Sequence, residues 1–364
     1  MNPETIILAA GGTGGHLYPA EALAQELLDR GHTVIIITDK RGTAFQKLGE
    51  KVRIDCVRAA TLKPGILSKI KAVIDIEVGI LQSFFLLGKY KPALIVGFGG
   101  YPSFPAVIAG QIMGYPTILH EQNAVLGKAN VWLAYAAKKI AVSLPDTRGI
   151  KPVDQAKVVL TGNPVRAGIR TARNNPYPPV DGSFEIFITG GSQAAKVFSE
   201  VVPEAVQQLP EDIKKRLRIV HQCREGDIPA TIEKYRTAGV TADIKAFFND
   251  MPERLSACHL FIGRSGASTV AETAVVGRPA IFVPYPGHAD QQQLHNAELI
   301  ARKDGAWIIQ QEQFTPQFLA RQIEQLVKNP ALIENAAKAA RACGQPEAVK
   351  NLADLVEREL AHRH

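Results

Sequence analysis

At 364 residues the chain is too long for one ordinary core, and roughly 100–200 residues per domain predicts two domains. Hydrophobic residues make up 46% and charged residues 21%, ordinary globular usage that excludes a disordered chain and a coiled coil. The net charge of +7 sits mainly in the first half, where residues 1–163 hold 18 basic and 12 acidic side chains.

Within that half, the nine basic residues of 40–71 are offset only by Glu50 and Asp55. Such a run predicts an anionic partner such as phospholipid head groups, with an ordinary solvated face as the alternative. No helix-turn-helix, finger or aromatic-interleaved basic motif is present, so nucleic acid is not an expected partner. The first residues, Met1-Asn2-Pro3-Glu4, run straight into Ile6-Ile7-Leu8, without the basic flank and cleavage site of a secretory signal. Cys56, Cys223, Cys258 and Cys343 are scattered and form no CxxC pair, which points away from zinc or a disulfide framework and toward a reducing, cytoplasmic setting. Asp75, Glu77, Gln82 and Ser83 interrupt the best candidate for a spanning helix.

In chain order, short apolar runs at 5–10, 33–38, 93–98, 116–120, 139–143 and 157–161 alternate with helical segments, the pattern of βαβ units. The pattern restarts at 184–189 and continues through 217–222, 243–248, 258–263, 279–284 and 306–310. Each series opens alike: a strand, a Gly-Gly turn (Gly11-Gly12-Thr13-Gly14-Gly15-His16, then Gly190-Gly191-Ser192-Gln193), and a helix. Turn formers from Gly162-Asn163-Pro164 to Asn174-Asn175-Pro176 mark the connection, so the predicted domains are 1–163 and 164–345. A last helix at 346–360 could pack back on the first domain.

Glycine at a strand-to-helix turn lets the backbone approach phosphate oxygens, and the helix N-terminus favours their charge. Two such turns imply two anionic ligands. The first does not match G-x-G-x-x-G, because His16 stands at the sixth position, so a dinucleotide-dependent dehydrogenase is disfavoured and Asp39 reads as a turn residue. His16 could take a proton from an attacking hydroxyl, or it could cap the helix or donate to a phosphate. Gly97-Phe98-Gly99-Gly100-Tyr101 and His120-Glu121-Gln122-Asn123 close predicted strands, where open α/β sheets bind ligands; Asn123 reads as functional and Gln122 as ordinary loop chemistry. In the second half, Gly263-Arg264-Ser265-Gly266-Ala267-Ser268-Thr269-Val270-Ala271-Glu272 repeats the strand-turn-helix design, with Glu272 able to accept from a ribose diol. The amides after His288 (Asp290-Gln291-Gln292-Gln293) suit sugar hydroxyls.

Taken in order, these stretches, together with Pro19-Ala20 and Gly162-Asn163-Pro164-Val165-Arg166, resemble the bacterial MurG family, transferases that move N-acetylglucosamine from UDP-GlcNAc to lipid I to make lipid II. The resemblance implies an α/β fold of GT-B type, two Rossmann-like domains with parallel sheets facing a central cleft. By the same analogy Arg166 and the backbone near Phe248 hold uracil, Ser192 and the turn Ala267, Ser268, Thr269 and Val270 hold the diphosphate, Glu272 the ribose, and Gln292 or Gln293 the sugar. Thr13, Gly14, Gly15 and Asn123 also match donor-site positions, and the acceptor diphosphate would meet Gly14, Gly15, Gly99 and Gly100. The family's chemistry implies one inverting displacement, with His16 as candidate base, no cofactor and no metal. Departures from the family pattern are Cys223-Arg224-Glu225 and Ala194, both where glycine is usual, and the run of three glutamines, which blurs the register of the sugar contact.

Undecaprenyl-linked lipid I is a membrane substrate, so peripheral attachment to the anionic cytoplasmic face of the inner membrane is expected. Apolar residues at helical spacing (Ile66, Ile70, Val73, Ile74, Ile80, Leu81, Phe84, Phe85), flanked by Lys63, Lys69, Lys71, Lys89 and Lys91, could lie on that surface or pack a core. A UDP-GlcNAc 2-epimerase and a non-catalytic sugar-nucleotide-binding subunit are the competing readings.

Overall fold

Runs rich in β-branched residues form two separate sheets, each wholly parallel. The structure is a computed structural model that describes residues 3–12, 14–40, 45, 48, 49, 51–60, 65–191, 194–287 and 289–362. The chain divides by its contacts into one unit of Met1–Arg166 with Pro346–His364 and another of Ala167–Gln345.

The first unit contains β1 (Thr5–Ala9), α1 (Gly14–Asp29), β2 (Thr33–Thr38), β3 (Arg53–Cys56), α2 (Ile66–Tyr90), β4 (Leu94–Gly97), α3 (Gly100–Ile112), β5 (Thr117–Glu121), α4 (Lys128–Leu133), β6 (Lys139–Val142) and β7 (Val158–Leu160). The second contains α5 (Ala167–Ala172), β8 (Phe184–Thr189), α6 (Lys196–Gln207), α7 (Glu211–Arg216), β9 (Leu217–Gln222), α8 (Ile228–Thr237), β10 (Thr241–Lys245), α9 (Met251–Ala257), β11 (Leu260–Gly263), α10 (Ala267–Val276), β12 (Ala280–Phe282), α11 (Gln292–Ala301), β13 (Ala306–Ile308), α12 (Pro316–Lys328) and α13 (Pro330–Cys343). The last helix, α14 (Ala348–Ala361), belongs to the first unit.

The first sheet runs β3-β2-β1-β4-β5-β6-β7 and the second β10-β9-β8-β11-β12-β13. Central strands such as Ile6-Ile7-Leu8-Ala9 and Leu94-Ile95-Val96 are buried because helices cover both faces, which is why they read as unbroken apolar runs. β3 (Arg-Ile-Asp-Cys) was not among the predicted strands. It lies at a sheet edge, where one row of backbone groups is unpaired and charged side chains remain solvated. The predicted strand at 243–248 is displaced: β10 ends at Lys245, and Phe248 lies in the loop beyond it.

On one face of the first sheet, Leu17, Leu23 and Leu27 of α1 share a core with Leu352, Val356 and Leu360 of α14. On the other face, Leu87 of α2, Val107 of α3 and Leu133 of α4 share a second core with Ile7, Ile37 and Ile140. Since α1 and α3 lie on opposite faces while β1 and β4 are neighbours, the strand order reverses between β1 and β4. The second sheet has the same break between β8 and β11: α6 packs with Phe184 and Ile186 on one face, whereas Phe248, in the loop before α9, meets Phe187 edge-on at 5.8 Å on the other. Such breaks are where open α/β sheets receive ligands.

Helix α2 divides its apolar residues between two surroundings. Ile80, Phe84 and Leu87 pack into the core, while Leu67, Ile70, Val73, Ile74, Leu81 and Phe85 are exposed, Phe85 to 74%. No helix among the described residues is long and apolar enough to cross a membrane.

Candidate active site

In the first unit, three loops leave the carboxyl ends of the adjacent strands β1, β4 and β5. Gly14 and Gly15 open α1, with His16 beside them; Gly99 caps α3 without any side-chain bond, and Gly100 is its first residue. Gly99 and Gly100 have φ of 75° and 70°, values that glycine adopts without strain, at the N-terminus of α3, where the cap makes no side-chain bond. Gly11 is confined from the other side: a Cβ there would lie 2.6 Å from Cβ of Pro102.

The His16 ring is held by Nδ1, which lies 2.9 Å from the carbonyl oxygen of Phe98 and 2.9 Å from Oε1 of Gln122. Its Nε2 edge lies against the bare Cα of Gly100, 3.2 Å from where a Cβ would stand. The structure thus gathers His16, Gly99, Gly100 and Gln122 at one place. Gln122, read from sequence as ordinary loop chemistry, touches both His16 and the buried His120. Burial pushes the His120 imidazole down to about 4, against a bond to the Gly162 carbonyl that raises it and the nearby His16 that lowers it further.

Asn123 is fixed by Glu121, named from sequence within the His120–Asn123 stretch but given no role there. The Glu121 carboxylate, 2% exposed, accepts from the Asn123 backbone N–H (3.0 Å), Asn123 Nδ2 (3.2 Å), the Gly127 N–H (2.8 Å) and Asn130 Nδ2 (2.9 Å). Four donors satisfy the buried charge and lock the loop after β5. Its sequence signal was an acid at the end of a buried strand. Arg166 stacks its guanidinium 4.5 Å from the Tyr18 ring, which belongs to the same unit.

In the second unit, Ala267, Ser268, Thr269 and Val270 form the first turn of α10, whose cap, Gly266, provides no side-chain bond. The hydroxyls of Ser265 and Ser268 are shielded from solvent and have no hydrogen-bond partner among the described residues. Glu272 lies further along α10 and is 5% exposed. Gln292 and Gln293 open α11; Oε1 of Gln293 accepts from the Tyr285 N–H at 3.0 Å, so this amide also braces its loop. The Phe248 ring is buried against Phe187, with the cations of Lys245 and Arg254 5.5 and 5.2 Å from its centroid. Thr13, Ser192, Gln193, His288, Lys63 and the side chain of Ile66 lie outside the described residues.

Two further braces escaped sequence reading. Thr189 donates its hydroxyl to Gln222 and accepts the Gly191 N–H at 3.1 Å, while Gln222 donates to the Ala246 carbonyl at 3.2 Å; this ties the first glycine turn of the unit to two neighbouring strands. Arg264 donates to the carbonyls of Val283 (3.0 Å) and Pro284 (3.1 Å) and to Gln311 (2.6 Å), joining the ends of three strands. Ala194 adopts φ 47°, the conformation for which glycine is usual. Among the described residues no cluster of three or more His, Cys, Asp or Glu is placed to hold a metal ion.

Residues 6–142 match the glycosyltransferase family 28 N-terminal domain and residues 185–356 its C-terminal domain. A UDP-N-acetylglucosamine--N-acetylmuramyl-(pentapeptide) pyrophosphoryl-undecaprenol N-acetylglucosamine transferase of Rhodospirillum centenum is 50% identical over 358 residues, 98% of this chain and 94% of that protein. The crystal structure of Acinetobacter baumannii MurG superposes with a TM-score of 0.79 at 31% identity, covering 98% of this chain and 100% of that one. A UDP-GlcNAc 2-epimerase of Neisseria meningitidis, covering 99% of this chain and 100% of its own, reaches 0.67 at 15% identity and so shares the fold alone. With both domains matched and half of its residues shared end to end, the chain belongs to glycosyltransferase family 28 and, within it, to the MurG N-acetylglucosaminyltransferases.

Proposed function

We propose that this chain moves N-acetylglucosamine from UDP-GlcNAc to the C4 hydroxyl of the MurNAc-pentapeptide of lipid I, forming lipid II for peptidoglycan synthesis. The reading is carried by 50% identity, over nearly its whole length, to a transferase named for those two substrates. The residues of both units fit it.

The chemistry is a single inverting displacement. The acceptor oxygen attacks the anomeric carbon, the bond from that carbon to the β-phosphate oxygen breaks, and UDP leaves with the electron pair. The hydroxyl proton passes to the neutral imidazole of His16. Charge grows on the departing diphosphate, and the N-terminus of α10 at Ala267, Ser268, Thr269 and Val270 is suited to receive it, with Ser192 as a further diphosphate contact by family analogy. Glu272 takes the ribose, Arg166 and the Phe248 backbone the uracil, Gln292 or Gln293 the sugar, and Thr13, Gly14, Gly15 and Asn123 complete the donor contacts. Gly99 and Gly100 at the N-terminus of α3, with Gly14 and Gly15, take the acceptor diphosphate beside the base.

The lipid acceptor brings the first unit to the cytoplasmic face of the inner membrane as a peripheral protein. Exposed Leu67, Ile70, Leu81 and Phe85 of α2, with exposed Lys69, Lys71, Lys89 and Lys91 around them, support that attachment. Incubating the purified protein with labelled UDP-GlcNAc and a lipid I analogue tests the assignment: disaccharide-lipid product is expected. Epimerised sugar nucleotide, or nucleotide bound without turnover, overturns it. A folded His16→Ala variant with unchanged turnover removes His16 from the role of base.

A further inference from the structure

We propose that Gln122 is a positioning residue whose side-chain amide, held between His120 and His16, fixes the His16 tautomer so that Nε2 carries the lone pair. The inference deepens the reading of His16 as the base and rests on it.

The polarity of the network follows from one fixed end. Nε2 of His120 lies 3.1 Å from the carbonyl oxygen of Gly162, which only accepts, so that nitrogen carries the hydrogen. His120 is fully buried and remains neutral above about 4, which excludes a second ring hydrogen at neutral pH. Nδ1 of His120 is therefore a lone pair. Nε2 of Gln122 lies 2.9 Å from it, 3.0 Å from the Phe98 carbonyl and 3.2 Å from the His120 carbonyl. Three acceptors surround this corner of the amide. An NH₂ group offers these acceptors two hydrogens, whereas an amide oxygen in its place would meet three lone pairs with none.

The amide oxygen must then point the other way, toward His16. Nδ1 of His16 is 2.9 Å from that oxygen and 2.9 Å from the Phe98 carbonyl, two acceptors that together require an N–H. In a neutral ring this leaves Nε2 as the proton acceptor, on the edge that lies against Gly100 and its open helix N-terminus. When Nε2 takes a proton, the Nδ1–H already has two oxygens to bear the new positive charge. No proton needs to travel along the chain of side chains; the network orients the ring and nothing more.

Histidine-selective ¹⁵N labelling with long-range ¹H–¹⁵N correlation, assigned by loss of the signal in His16→Gln, reads the tautomer directly. The Nδ1–H form is expected in the wild-type protein, and an Nε2–H form overturns the proposal without reference to activity. Gln122→Met keeps the volume and removes all four polar contacts of the amide, to His16, Phe98 and both acceptors of His120. Expected are mixed His16 tautomers and a kcat lowered on the order of tenfold to a hundredfold, with the KM for UDP-GlcNAc unchanged. Wild-type kcat in a folded Gln122→Met protein that still retains UDP overturns the positioning role. Full turnover in His16→Ala would instead overturn the base reading and the kinetic half of the proposal, while the spectrum still judges the tautomer.

Discussion

Ala194 and the buried histidines show how single residues set stability next to the candidate site. A non-glycine residue in the left-handed region costs about 1–2 kcal/mol, part of which glycine returns through its looser unfolded state. Ala194→Gly should therefore stabilise the protein by about 0.5–1 kcal/mol in denaturant unfolding, and a destabilised variant would show that the turn tolerates alanine without strain. His120 and His221 are pushed down to about 4 and about 3, in both cases chiefly by burial. Their folded values lie below the ordinary 6.5, so near pH 5 the unfolded chain binds about two more protons at these sites. Their contribution is complete above about 6.5 and is lost as pH falls toward 4, by about 2–3 kcal/mol per pH unit near pH 5. Unfolding free energies measured between pH 5 and 7 check the sign. At this scale sequence reading was uneven. His16, Gly99 and Gly100 stood out because two glycine turns recur at strand-to-helix junctions, with packing or capping as the alternative uses, whereas the partners of Gln122 and Glu121 emerge only from the fold of the loop that follows β5.

At the scale of elements, the long apolar strands were legible because parallel strands covered on both faces tolerate little but Val, Ile, Leu and Ala. β3 was not, because an edge strand of Arg-Ile-Asp-Cys carries no such run. The boundary error at β10 has a related cause: Phe248 is buried through its contacts with Phe187, Lys245 and Arg254, so its hydrophobicity reflects loop packing instead of strand continuation. Helix α14 is held by packing and by charge. Leu352 is fully buried in the α1 core, and Arg30 reaches Asp354 and Glu357, each at 2.6 Å. Leu352→Ala should cost about 2–5 kcal/mol, while Asp354→Ala, at an exposed pair, should cost under about 1 kcal/mol. Chemical denaturation of the two variants compares these costs, and equal losses would mean that charge carries as much of the docking as packing.

For the whole molecule, the recurrence of one design in both halves was the most informative sequence feature, since two glycine turns after two first strands mark the places where each sheet reverses its order. What composition left open was the meaning of the apolar helix in the basic half. Part of α2 fills the core, and the rest, with Leu81 and Phe85 exposed to 67% and 74%, has no burial to account for it. Sedimentation with anionic vesicles should therefore be strong at low salt and weakened both by added salt and by Leu81→Ser with Phe85→Ser; binding indifferent to both would count against peripheral attachment through this surface.

The return of α14 to the first unit also sets an order of events during synthesis. Residues 167–345 must be made before the helix that covers α1 exists, so the nascent first unit carries a greasy groove along Leu17, Leu23 and Leu27 until α14 emerges. Final consolidation of the first unit thus waits for synthesis of the second, and that interval is when a chaperone, or a wrong partner, would find the groove.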